Sequence, residues 1–293
     1  MVKEIVLIGG DGLVGHNFKS SHGGAYEIID LSYPRVDIRD RSSLQQALLP
    51  YRNCLGIVNL AAATDTAKAF SDTAYQEYCW QVNAQGALNV AQVCQDLDTR
   101  LIHVSTDYVY PGTQSTPYLE TDPLDPIEPY GASKAAGEVG ALEFGAVVAT
   151  LAFPYGPALH PTRPDSVAKI ITQLKKGNRI SAFSDQYVCP TFLPDFTSGL
   201  VALLENRDLV GKFHIVGPPQ TPYSMRCHLA DVLDLSTINI IPTSVTEYNR
   251  GAMLRGDRTF HPNLTLSTQK ARSVKCEVRS FENGVRQLNL AAY

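Results

Sequence analysis

The chain has 293 residues, 44% of them hydrophobic, and a formal net charge of -4. That composition suits a large globular core, the charge argues against nucleic acid as the main partner, and no stretch approaches the roughly 20 apolar residues that span a bilayer. The six cysteines (Cys54, Cys79, Cys94, Cys189, Cys227, Cys276) are scattered, with no C-x-x-C pair and no Cys/His ligand spacing, so reduced thiols and no metal are expected.

The chain enters an apolar run at residue 3 without a signal-peptide pattern before it, which makes a cytoplasmic protein the expectation. Near-continuous apolar runs over 3–8, 26–31, 54–60, 100–105 and 146–151 read as strands. Helical patterns over 12–20, 41–49, 74–96 and 129–144 fall between them. Strands of this kind separated by helices imply a parallel sheet covered on both faces, and the right-handed crossover makes it an α/β, doubly wound Rossmann-type sheet. After residue 151, Pro154, Pro157, Pro161 and Pro164 mark a long loop. Helices over 167–176 and 196–205 and a strand over 212–216 follow. We expect a dinucleotide-binding domain over 1–155, with a returning segment at about 191–217, and a smaller mixed α/β substrate lobe over most of 156–293.

The first strand runs into Gly9-Gly10-Asp11-Gly12-Leu13-Val14-Gly15. Gly9 permits the tight turn, Gly12 lets the backbone approach a pyrophosphate, and Gly15 lets the helix pack close to the strand. The amides of Leu13 and Val14 then open a helix whose N-terminus favours phosphate oxygens. This points to NAD(H) or NADP(H). Asp30 ends the second strand where an acid meets the adenosine ribose, which slightly favours NAD(H), although Arg35 is close by. Asp37-Ile38 is placed to meet the adenine.

Tyr130 and Lys134 lie one turn apart on one helix face, and Thr106 ends an apolar strand. A tyrosine with a reference pKa of about 10 needs help to ionise near neutrality, and a neighbouring ammonium such as that of Lys134 lowers it. Thr106 would orient a carbonyl oxygen near Tyr130. The trio is chemistry for reducing a ketone or oxidising an alcohol.

These residues resemble the extended short-chain dehydrogenase/reductase superfamily, and within it the dTDP-4-dehydrorhamnose reductase family. The resemblance covers nearly the whole chain, through the glycine turn, Asn59-Leu60-Ala61-Ala62-Ala63-Thr64, Val82-Asn83-Ala84, His103-Val104-Ser105-Thr106-Asp107-Tyr108-Val109-Tyr110, Tyr130-Gly131-Ala132-Ser133-Lys134, Tyr155-Gly156 and Asp185-Gln186. It implies that Thr106, Tyr130 and Lys134 are the catalytic set, that Ala61, Ala62 and Ala63 line the cofactor, that Asn83 supports the active-site strands, and that Asp107 lies near a nucleotide-linked sugar. Departures cluster in the expected substrate lobe: Phe153 stands where the family often has Trp, Val188 where Gly is usual, and His261-Pro262 where an Arg-Pro pair is common. Phe153 is still able to stack on a sugar or base. Of the cations there (Arg163, Lys169, Lys175, Lys176, Arg255, Arg258 and His261), Arg258 and His261 are the candidates for a substrate diphosphate, and Lys175-Lys176 reads as a solvated helix end.

The implied activity is reduction of the 4-keto group of a nucleotide-linked deoxysugar. A 4-epimerase, or a dinucleotide-binding regulatory subunit resembling the methionine adenosyltransferase beta subunit, stays open; Tyr108 in place of Glu disfavours a 4,6-dehydratase. In the helical pattern 74–96, Tyr75, Tyr78, Trp80, Val82 and Leu88 read as core packing, while the resemblance implies that this helix can join a homodimer.

Overall fold

A computed structural model describes residues 2–158 and 160–290. The first half alternates as expected: β1 (Glu4–Ile8), α1 (Leu13–His22), β2 (Glu27–Asp30), α2 (Arg41–Leu48), β3 (Gly56–Asn59), α3 (Thr66–Ser71), α4 (Thr73–Cys79), α5 (Ala87–Asp96), β4 (Leu101–Thr106), α6 (Pro129–Glu143) and β5 (Val147–Leu151). Then come β6 (Pro154–Tyr155), α7 (Ser166–Lys175), β7 (Ile180–Phe183), β8 (Thr191–Phe192), α8 (Leu193–Glu205), β9 (Lys212–His214), α9 (Pro222–Val232), β10 (Ile240–Thr243), α10 (Val245–Arg255), α11 (Gln269–Ser273) and α12 (Phe281–Val285).

Six strands form one parallel sheet in the order β2-β1-β3-β4-β5-β9. β9 pairs with β5 at the edge. Two parallel ribbons, β6 with β8 and β7 with β10, lie outside that sheet. The sheet's apolar strands divide their side chains by parity, because successive residues point to opposite faces. Ile5 and Leu7 join one core with Val58, Ile102, Val104 and Phe196. Val6 and Ile8 join the other with Ile57, Leu101, Val90 and Leu44. Both faces are covered, which is why these strands are apolar without alternation. No helix among the described residues is long and apolar enough to cross a membrane.

The strand order reverses direction between β1 and β3, and ligands of such sheets bind at the carboxyl ends beside that switch point. Here Gly9, at φ 80°, packs so tightly on the neighbouring strand end that a Cβ would fall 2.7 Å from the Ala61 amide nitrogen.

The single helix expected over 74–96 is interrupted. Between α4 and α5, residues Trp80–Gly86 form a π-helical segment, a wide turn that recurs at functional sites. There the Asn83 side chain turns away from its own helix, accepting from Ala63 N at 2.8 Å and donating to Ala63 O and Ser133 Oγ at 3.0 Å each. The backbone carbonyl of Asn83 meets α6 where Gly137 leaves room; a Cβ there would sit 2.0 Å away. The aromatic residues of this stretch are also not all core: Trp80 is 51% and Tyr78 43% exposed, since the outer face of the helix pair is left uncovered. α8 begins three residues earlier than the pattern suggested, with Pro194 in its first turn, where its missing N–H costs nothing.

Three buried histidines make the fold acid-sensitive. His214 is bracketed by Tyr110 Oη at 2.9 Å and Ser267 O at 3.1 Å; His103 meets Asn59 Nδ2 at 3.2 Å; His261 packs edge-on to Tyr108, with Nε2 unpartnered. Burial, reinforced by nearby cations, holds all three below the usual histidine range, His214 at about 3 and His261 at about 4. A histidine depressed in the folded state binds fewer protons than in the unfolded chain, so stability is full above the unfolded value and falls as pH drops towards the folded one. For His261, acidification from 6.5 to about 4 should cost about 3 kcal/mol. In urea titrations at several pH values, His261→Phe should remove about that share of the acid loss; an unchanged slope would rule it out.

Candidate active site

A cavity of about 810 Å³ runs from the glycine turn to the ends of β4 and β5. Gly9, Gly12, Leu13, Val14 and Gly15 form one wall. A Cβ at Gly15 would fall 2.4 Å from Gly10 Cα, so the helix lies directly on the turn. At Gly12 a Cβ would meet only Gly9 O at 3.4 Å, so its outer side is open. Gly12 caps α1 without a side-chain bond, and the first intrahelical bond is His16 N to Gly12 O at 2.9 Å. The amides of Leu13, Val14 and Gly15 thus precede the hydrogen-bonded part of the helix at its positive end. This open cradle fits a dinucleotide pyrophosphate.

Asp37 and Ile38 line the far end together with Tyr33, Arg39 and Tyr78. Asp37 is clamped by Arg39, with Nη2 to Oδ2 at 2.6 Å, and that hydrogen bond holds its carboxyl below the usual range. Asp30 is placed differently from the expectation. Its carboxylate lies against Gly10 rather than in the cavity wall, bonded by Lys19 Nζ and Ser32 Oγ, each at 2.5 Å. Both oxygens already have partners, and a lysine neutralises the carboxylate charge.

Ala61 and Ala62 reach the cavity, while Ala63 and Asn83 stand behind it as the brace described above. Thr106, Asp107, Tyr130 and Lys134 all line the opposite end, with Phe153. Thr106 terminates β4 and donates to Asp107 Oδ1 at 3.0 Å, and a hydrogen bond joins Tyr130 to Thr106. Lys134 Nζ donates to Val104 O at 2.7 Å.

Burial dominates the electrostatics here and drives each group toward its neutral form. It pushes the Asp107 carboxyl up to about 7 against the bond from Thr106. It lowers the Lys134 ammonium to about 8, with Glu138 opposing. The Tyr130 hydroxyl is raised, again by burial, with the Thr106 bond opposing. The sequence suggested that Lys134 would lower Tyr130; with its head turned to the Val104 carbonyl, it does not outweigh burial, and Tyr130 stays a protonated donor.

Arg258 and His261 lie outside the cavity lining. Arg258 is spent on Glu128, with Nε to Oε2 at 2.7 Å and Nη2 to Oε1 at 3.0 Å, and lies over the Tyr108 ring. This tie fixes residue 258 to the N-terminus of α6. His261 is 2% exposed and neutral at pH 7, so it offers no charge to a phosphate. Besides Lys134, the cavity's cations without an ion-pair partner among the described residues are Arg163 and Lys169; both stood among the sequence's cation candidates, but nothing local set them apart. Gln186 and Val188 complete the wall, Gln186 donating to His261 O at 2.9 Å.

Known proteins resemble the chain over most of its length. The family described as RmlD substrate binding domain matches residues 3–291. A dTDP-4-keto-6-deoxy-D-glucose reductase of Streptomyces niveus is 32% identical over 219 residues, 73% of each chain. A dTDP-4-dehydrorhamnose reductase of Escherichia coli is 31% identical over 172 residues, 57% of this chain and 56% of that one. The fold is shared with a dTDP-4-dehydrorhamnose reductase of Bacillus anthracis solved in complex with NADP, at TM-score 0.86 and 24% identity over 99% of this chain and 100% of the other. The glycine turn, the Thr106–Tyr130–Lys134 constellation and the match along nearly the entire length together place this chain in the RmlD substrate-binding domain family.

Proposed function

We propose that this protein is an NAD(P)H-dependent reductase of the 4-keto group of a nucleotide-linked deoxysugar. The observation that carries the reading is the convergence of Thr106, Tyr130 and Lys134 on the same cavity as the glycine turn. The names of the relatives support the substrate class. Gly12, Leu13, Val14, Ala61 and Ala62 would hold a nicotinamide dinucleotide, which would supply hydride. Thr106 hydrogen-bonds the sugar's carbonyl oxygen and holds it beside Tyr130. Tyr130, kept protonated by burial, releases its proton to that oxygen as negative charge develops there. Lys134 supports the ribose and the developing phenolate with its charge. Arg163 and Lys169 take the substrate's diphosphate, and Phe153, Gln186 and Val188 shape the sugar end.

Incubation with NADPH or NADH and a dTDP-linked 4-keto-6-deoxy sugar should consume the reduced cofactor. Tyr130→Phe should keep cofactor affinity and lose about 10²–10⁴ in kcat. Cofactor binding without turnover of any nucleotide-linked keto sugar would overturn the reading.

Both cofactors serve, because Lys19 and Ser32 occupy the Asp30 carboxylate. In steady-state kinetics with NADH and NADPH, Asp30→Asn should change the ratio of the two kcat/KM values by less than about fivefold, since removing a partly exposed ion pair is worth at most about 1 kcal/mol. A tenfold or larger swing toward NADPH would restore Asp30 as the discriminator.

The exposed face around Trp80, Leu88, Leu124 and Val139, which forms a shallow groove, joins two copies of the chain. Sedimentation should give a dimer for the native protein and a monomer for Trp80→Glu; a native monomer would rule the dimer out.

A further inference from the structure

Behind the Tyr130–Lys134 face of α6 lies a buried ion pair that the proposed reaction leaves without a task. Tyr130, Lys134 and Glu138 recur at a spacing of four, so Glu138 follows Lys134 by one turn on the same side of the helix. Glu138 is 1% exposed. Its carboxylate accepts from Ser105 Oγ at 2.5 Å and pairs with Lys212 Nζ at 2.7 Å. Ser105 precedes Thr106 in β4, and Lys212 opens β9. One carboxylate therefore ties the helix bearing Tyr130 to two strands of the sheet.

Stability alone does not explain such a pair, because desolvating two charges offsets most of their attraction, and apolar replacements are often neutral or better. The surroundings of Lys134 supply a reason. Its ammonium is buried and its hydrogen-bond partner, Val104 O, is uncharged. Burial works against the charged form, and Glu138 is the carboxylate that counters it. The other groups nearby do not substitute. From β4, His103 is held neutral by burial. Beyond the end of that strand, Asp107 is raised to about 7 by burial. Tyr130 is kept protonated. On the far side of Glu138, Lys212 sits 4.4 Å from the Tyr110 ring centre, with the charges of Glu120 and Asp122 acting on Lys212 and His214 beyond it held neutral.

We infer that Glu138, anchored by Ser105 and Lys212, is a positioning residue: it is the counter-ion that keeps Lys134 charged and seated against the end of β4. The kinetic readout of this role rests on the proposed reductase activity, but the affinity for cofactor reads the same lysine without turnover.

Glu138→Gln keeps the shape and the acceptor for Ser105 while removing the charge. The double variant Glu138→Gln/Lys212→Met also removes the stranded lysine. The measurements are the dissociation constants of NADPH and NADH by fluorescence across the pH range around the Lys134 transition, thermal melting, and the pH profile of kcat. In the native protein, affinity should fall on the alkaline side as Lys134 loses its proton. Both variants should move that limb down by about one pH unit, and the double variant should regain melting temperature without regaining the native limb. If the pair acted only on stability, the double variant would recover both the melting temperature and the native pH profile, and that result would overturn the inference. Should Glu138→Gln not fold, the double variant decides alone. If the binding limb shifts as expected while the native protein reduces no keto sugar, the reductase reading fails and the role of Glu138 stands.

Discussion

One buried amide, that of Asn83, holds the cofactor side of the cavity in register with its chemical side. It bonds both backbone groups of Ala63 and also reaches Ser133, which itself donates to Tyr130 O at 2.8 Å. The loop after β3 and the helix carrying Tyr130 and Lys134 are thereby fixed to each other through a single side chain. A regular α-helical turn would keep Asn83 on its own helix surface; the π-helical segment and the absent Cβ of Gly137 let it approach. Because an unpaired buried amide would cost about 1–3 kcal/mol, this arrangement tolerates little drift, and every group positioned by α6 inherits that precision.

Burial sets the chemistry of the other end. A site closed enough to keep water from the reacting atoms also penalises every charge within it. In the proposed reaction Tyr130 gains from this, since a protonated phenol is what a carbonyl reduction consumes, and Lys134 loses, since its proposed use depends on charge. The carboxylate of Glu138, one turn farther along α6, offsets that loss without entering the cavity, where it would repel a substrate's phosphates. The sheet's own geometry makes this division possible: the ends of parallel strands face the ligand, while residues one or two positions earlier face the helices.

Local features were the legible ones in the sequence. The glycine turn, the Tyr130–Lys134 spacing and the end of β4 at Thr106 each depend on a few consecutive residues, and each lines the cavity. What escaped reading depends on contacts distant along the chain. Asp30 has the right position for a ribose, but Lys19, 11 residues earlier, reaches it only once the chain has folded. Arg258 looked like a free cation; its partner Glu128 lies 130 residues away. Trp80 and Tyr78 followed an apolar pattern that says nothing about which side of a helix pair is covered. Val188 and Phe153, where the chain departs from its family's usual residues, fall in the wall of the cavity, whereas His261, a third departure, lies outside it.

Phe153 shows how the backbone is bent to build that wall. It sits at φ 38°, a left-handed conformation that costs a residue with a bulky side chain about 1–3 kcal/mol. The chain leaves the main sheet at Leu151 and must join the ribbon of β6 and β8 within three residues. Thr191 N donates to Phe153 O at 3.1 Å, which locks the carbonyl on the ribbon side. A glycine would meet the backbone requirement without strain but would leave no ring in the cavity. An aromatic side chain kept at an unfavourable φ therefore argues that the ring itself, rather than the turn, is what this position supplies.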